Sequence, residues 1–143
     1  MRLSLITITL LFFSSISFGQ TIESDSEIEQ ISKTLMLYID GTANGQLEKL
    51  KEAFHPDFNL YSVTQEDSLR IWKGSDYTSK IKKGQKSNRV GRIISIDFDQ
   101  NVATAKAEII IPERRVFTDF FLLVKYLGKW KIVHKSYTYK SMQ

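Results

Sequence analysis

The sequence predicts an α+β domain, with helices grouped ahead of a strongly curved, largely antiparallel sheet. Three observations carry this. Apolar residues recur at helical spacing near the start of the domain: Ile28, Ile31, Leu35, Tyr38 and Ile39. Beyond Pro56 the apolar period changes from that of a helix to that of a strand. The last four strands follow one another through short turns at Asp99-Gln100-Asn101, Pro112 to Arg115 and Leu127-Gly128, a meander rather than a strand–helix–strand winding.

The elements follow in order. Ser26 with Glu29 three residues on has the spacing of a capping box, so a helix starts there. Asp40-Gly41 and Asn44-Gly45 end it, because glycine accepts the left-handed conformation at a helix C-terminus. A second helix from about Gln46 carries Leu47, Leu50, Ala53 and Phe54 on one face, and Pro56 stops it by disfavouring helical geometry before it. Phe58 to Val63 and Leu69 to Lys73 read as strands around a turn at Gln65 to Ser68. Gly74 opens a small helix reaching about Lys83, with Tyr77 and Ile81 inward, and Gly84 to Asn88 is a polar loop. Arg89 to Phe98 is a strand with Ile94, Ile96 and Phe98 on one face. Val102 to Ile111 alternates Ala103, Ala105, Ala107 and Ile109 against polar residues. Val116 to Tyr126 is nearly all apolar, as in a central strand buried on both faces, and Trp130 to Tyr139 is the last strand.

With 143 residues, 42% hydrophobic and 25% charged, the chain suits one soluble globular domain. The absence of cysteine excludes disulfides, thiol catalysis and thiolate metal sites. Two distant histidines and unclustered acids give no metal-ligand spacing, and no glycine-rich phosphate loop or other cofactor pattern is present. The first residues, MRLSLITITLLFFSSISFGQ, have a positive start, an apolar run shorter than the roughly 20 residues of a membrane span, and small residues before Gln20. That is the layout of a cleavable signal, with cleavage expected after Gly19 and a periplasmic or secreted product that keeps no membrane contact. The expected organisation is therefore signal 1–19, polar tail 20–25 and a single domain 26–143. Lysines 80, 82, 83 and 86 with Arg89 and Arg92 form a basic cluster. It has few interleaved aromatics, which reads as a solvated helix end and loop rather than a nucleic-acid site.

Three segments, YIDGTANGQLEKLKEAFHPDF, ISIDFDQNVATAKAEI and TDFFLLVKYLGKWKIVHKSY, resemble the family named "Putative lumazine-binding". It lies in the nuclear transport factor 2-like (NTF2-like) superfamily, with SnoaL-type cyclases and ketosteroid isomerases. The resemblance spans about Glu27 to Tyr137 and implies a cone: a curved sheet wrapped around the first helix, with a cavity at its open end. It does not fix the chemistry, because this fold hosts isomerases, dehydratases, cyclases and binding modules.

The candidate site residues follow. Asp119 is a carboxylate inside an apolar strand, so it needs a partner or a raised pKa. It reads either as a proton carrier of the kind ketosteroid isomerase-like members use, or as half of an ion pair. His55, between the second helix and the next strand, would sit near the cavity mouth as a general base, or simply shape a corner with Pro56 and Asp57. His134 depends on register. A two-residue turn at Leu127-Gly128 sets Asp119 opposite Ser136 and Phe121 opposite His134, on one face. A three-residue turn sets Asp119 opposite Tyr137, with Lys135 nearby and His134 on the other side. Leucine fits the shorter turn poorly, yet that turn is the commoner connection. Tyr38, His55, Trp72, Asp119 and Phe121 are the residues expected to meet a ligand.

The favoured expectation is a non-catalytic exported domain that binds a small apolar or aromatic molecule in the cone. The alternatives are a cofactor-independent isomerase or dehydratase using Asp119 with His55 or His134, and a protein-interaction module. The apolar residues on both faces of the long strands (Phe120 with Phe121, Leu122 with Leu123) lead us to expect a homodimer through the outer sheet face.

Overall fold

The computed structural model describes residues 25–142. The expected signal, 1–19, and residues 20–24 of the expected tail lie outside the described residues. Ser26 caps helix α1 (Glu27–Asn44) with the full capping box, its side chain accepting from the Glu29 amide while the Glu29 carboxylate accepts from the Ser26 amide. Gly45, at φ 62°, closes the helix at its C-terminus. Gly41 does not end it but lies inside it, buried against α2 (Leu47–Ala53). An Asp40–Lys49 ion pair of 3.2 Å ties the two helices together.

The chain then forms β1 (Phe54–Val63), β2 (Leu69–Lys73), a short α3 (Gly74–Ser79), β3 (Val90–Asp99), β4 (Val102–Ile111), β5 (Arg115–Tyr126) and β6 (Lys129–Ser141). They make one six-stranded sheet in the order β2-β1-β6-β5-β4-β3, antiparallel except for the β1–β6 pair, which is parallel. The core sits between α1 and the inner face of this sheet, where Ile31, Leu35 and Ile39 meet Leu123, Ile132 and Ile109.

The structure departs from the sequence expectations at five further points. The second helix ends at Ala53, before Pro56, and His55 and Pro56 lie in β1. Pro56 falls in the stretch where the β1–β6 register shifts, a place that needs no amide donor. The small helix stops at Ser79 rather than near Lys83. In β3 a bulge between Ile93 and Ser95 shifts the phase, so Ile93 and Ile96 pack on the core while Ile94 is 44% exposed. β5 lies in the middle of the sheet but is not buried on both faces: Phe120 and Leu122 remain 49% and 38% exposed.

The last hairpin departs from expectation in its register. Its turn has two residues, with Tyr126 opposite Lys129 and both Leu127 and Gly128 at positive φ. The register that turn implies does not persist. Leu123 pairs with Ile132 and Leu122 with His134, which leaves Val133 unpaired. Beyond this bulge Phe121 faces Lys135 and Asp119 faces Tyr137, the neighbours expected of the longer turn.

Gly91 of β3 lets α1 lie close to the sheet. A Cβ there would stand 2.6 Å from Ile39 Cγ2 and 2.9 Å from Ile109 Cδ1. Gly91→Ala should therefore cost about 1–3 kcal/mol through overpacking, read as a lower urea midpoint with an unchanged slope.

Candidate functional site in the cone

Residue alternation along β5 and β6 turns Asp119, Lys135 and Tyr137 to the inner face. Tyr38 comes down from the buried face of α1, its ring held edge-on between Phe54 and Phe121 at 5.7 and 5.3 Å. Packing on both sides fixes where the hydroxyl points. It donates to Asp119 Oδ2 at 2.6 Å. Lys135 Nζ donates to the same oxygen at 3.1 Å and to the Tyr38 hydroxyl oxygen at 3.0 Å. Asp119 is 1% exposed and Lys135 5%, so this is a buried ion pair closed into a triangle by a phenol. The ammonium also lies 5.1 Å from the ring of Tyr38, 5.5 Å from Tyr77 and 4.9 Å from Tyr137, an aromatic surround that suits a desolvated cation.

The triangle lines a cavity of about 320 Å³ at the open end of the cone. Leu60, Ile81, Ile109, Ile111 and Phe117 give it apolar walls, with Trp72, Tyr77, Lys80, Arg89 and Tyr137 around them. Three side-chain atoms among the described residues are buried without a hydrogen-bond partner: Trp72 Nε1, Arg89 Nε and Asp119 Oδ1. All three belong to residues lining this cavity. Leaving such an atom unpaired costs about 1–3 kcal/mol, and here the cost is concentrated in one place.

Tyr38 remains a phenol. Burial first, and then the charge of Asp119 and the neighbouring Tyr77, push its pKa well above the ordinary 10.0. A folded-state value raised above the unfolded one gives stability that is fully present below the unfolded value and lost as pH rises toward the folded one. The unfolding free energy should therefore decline above about pH 10. Tyr38→Phe should flatten that decline, which chemical denaturation across the alkaline range will show.

The structure brings Tyr38, Trp72 and Asp119 to one cavity and leaves the other expected residues outside it. Phe121 is 3% exposed, packed behind Tyr38 rather than lining the cavity. His134 lies on the other side of the sheet from Asp119, its Nδ1 2.6 Å from Asn59 Oδ1, its Nε2 2.9 Å from Ser136 Oγ and its ring against Tyr61. The bulge at Val133 puts it there. His55 packs on Tyr126 and accepts from the Asp57 amide at 3.2 Å, which is the corner reading. It lines a separate hollow of about 400 Å³ between α2, β1 and α3. That hollow contains none of the unpaired polar atoms.

Three charged lining residues, Lys80, Arg89 and Lys135, are not among the site candidates the sequence offers. Lys135 enters only once the register of β6 is known. Lys80 and Arg89 read in the sequence as part of the solvated basic cluster, but both line the cavity, Arg89 half-buried just before β3. Among the described residues no three His, Asp or Glu side chains gather as a metal site.

Residues 26–138 match the model of the family described as "Putative lumazine-binding". The chain belongs to that family. Its fold is that of NTF2-like proteins. An NTF2-like protein of unknown function from Shewanella baltica OS155 superposes with a TM-score of 0.72 at 24% identity, covering 80% of this chain and 94% of that one. Another, from Methylobacillus flagellatus KT, gives 0.70 at 29% identity, covering 82% and 96%. The aldolase FrzH of Cladobotryum sp is 27% identical over 118 residues, 78% of this chain and 90% of that protein.

Proposed function

We propose that this protein is an exported domain whose cone cavity binds a small, largely aromatic molecule. One observation carries the reading: every buried side-chain atom without a partner among the described residues belongs to the lining of that one cavity. Folded proteins seldom tolerate such atoms, and an apolar pocket with a few convergent polar groups is the usual form of a ligand site. The cavity's volume, at the lower end of the roughly 300–1,000 Å³ usual for such sites, suits a single ring system. A thermal-shift screen of small aromatic compounds tests this. A ligand at 100 times its Kd should stabilise the protein by about 2.7 kcal/mol; a screen with no hit at all would count against the reading. Export is tested by N-terminal sequencing of the protein from intact cells, with Gln20 expected as the first residue.

A second reading, proton transfer, is favoured by the placement of Asp119. Its Oδ2 is held by Tyr38 and Lys135 while the buried Oδ1 has no partner, so one oxygen is oriented and the other keeps its lone pairs free for a proton. FrzH, a relative named as an aldolase, supports asking the question. In this reading Tyr38 and Lys135, not His55 or His134, are the partners of Asp119. Exchange of the α-hydrogens of a small aryl ketone in heavy water should then proceed and fall by about 10²–10⁴-fold in Asp119→Asn. Exchange equal in the two proteins would leave only binding.

The expected homodimer is kept as part of this proposal. Phe120, Leu122, Ile94 and Val102 are exposed large hydrophobic residues on the long strands, and Lys106 and Glu108 supply both signs of charge for a self-complementary two-fold contact. Sedimentation at micromolar concentration should show a dimer, and Phe120→Glu a monomer.

A further inference from the structure

We infer that the ligand is an organic anion, an aromatic carboxylate whose acid group meets Arg89 and Trp72. The inference rests on the binding reading above and names the class of molecule.

Charge is the first argument. The cavity wall carries three cations, Lys80, Arg89 and Lys135, against one carboxylate, Asp119. Asp119 is already engaged by Lys135 and Tyr38. Neither Lys80 nor Arg89 has a carboxylate partner among the described residues. The uncompensated charge of the wall is therefore positive, and a guanidinium with a buried nitrogen is stabilised by a counter-ion.

Hydrogen bonding is the second argument. Arg89 Nε and Trp72 Nε1 are donors only, and both are buried without an acceptor. A carboxylate is acceptor only and offers two oxygens, matching two donors with nothing left over. A bond from guanidinium to carboxylate is charge-assisted and about twice as strong as a neutral one, which favours an acid over an amide or ketone of the same shape. The remaining wall is apolar and aromatic, so the body of the ligand is a ring. The unpaired Asp119 Oδ1 then accepts from any N–H or O–H that the ring carries.

The test is a calorimetric titration of the purified protein with phenylacetate and indole-3-acetate, each against its neutral amide, at low and high salt. The acids should bind at least about tenfold tighter than the amides, a difference of about 1.4 kcal/mol, with the gap narrowing as salt rises. Arg89→Gln should bring acid and amide to similar affinity. Lys80 is exposed, so Lys80→Gln, which carries no folding risk from burial, should weaken the acids about two- to fivefold and the amides by less. Amides binding as tightly as acids, or a gap that survives both substitutions, would overturn the anion inference while leaving the cavity reading intact. If neither acids nor amides bind, both fall.

Discussion

Lys135→Met should lower the unfolding free energy by about 3–5 kcal/mol, the cost of leaving one partner of a buried ion pair uncompensated. The substitution keeps a flexible apolar chain of similar length and removes only the charge and its donors. Asp119, 1% exposed, would then keep its bond from Tyr38 but lose its counter-charge. The pair is not in itself a source of stability, because desolvating both charges offsets most of their attraction. The triple variant Tyr38→Phe, Asp119→Leu, Lys135→Met should therefore recover most of the loss. It empties the triangle of polar atoms altogether, so no member is left unsatisfied. Urea denaturation of the single and triple variants reads both effects. A single-variant loss below about 1 kcal/mol, the value of an exposed pair, would mean that the triangle is solvated in solution. The same triangle deprived of its charges should retain the fold but lose its grip on any polar ligand.

The second large effect concerns the cavity itself. Ile111, half-buried near the end of β4, lines the cone opposite the helix and is not part of the triangle. Ile111→Trp should fill a substantial part of the 320 Å³ space. Aromatic ligands should lose more than about 100-fold in affinity, since a ligand and the indole cannot share the volume. Overpacking into an existing void should cost less than the usual 1–3 kcal/mol. Calorimetry against any compound that binds the unaltered protein, with a urea curve alongside, separates the two quantities. Unchanged affinity would place the ligand elsewhere, the hollow beside His55 being the first alternative.

The sequence yielded the order of elements because that order rests on local signals. The capping box at Ser26, the glycine at 45, the strand at Leu69–Lys73 and the alternation of β4 are each written within a few residues. What it did not yield depends on two bulges. An unpaired residue shifts side chains from one face of a sheet to the other, and neither Ile94 nor Val133 has anything in its type to mark it as the extra residue. The second bulge removes His134 from the site and brings Lys135 into it. Asp119 and Tyr38 could be found because a carboxylate in an apolar strand and a tyrosine on a helix's apolar stripe each need an explanation. Arg89 could not, because it follows the exposed Lys82, Lys83 and Lys86 and nothing in its residue type marks it as half-buried.

The chain's two tryptophans offer the most direct test of the cavity as a binding site. Trp130 Nε1 donates to Glu27 Oε2 at 2.7 Å, whereas Trp72 Nε1 is buried with no acceptor. A proton–nitrogen NMR spectrum resolves the two indole N–H signals, and Trp72→Phe assigns them. On addition of phenylacetate or phenylacetamide the Trp72 signal should move as its N–H gains an acceptor, while the Trp130 signal stays in place. A Trp72 signal that stays fixed at saturating concentrations of both probes would contradict the account.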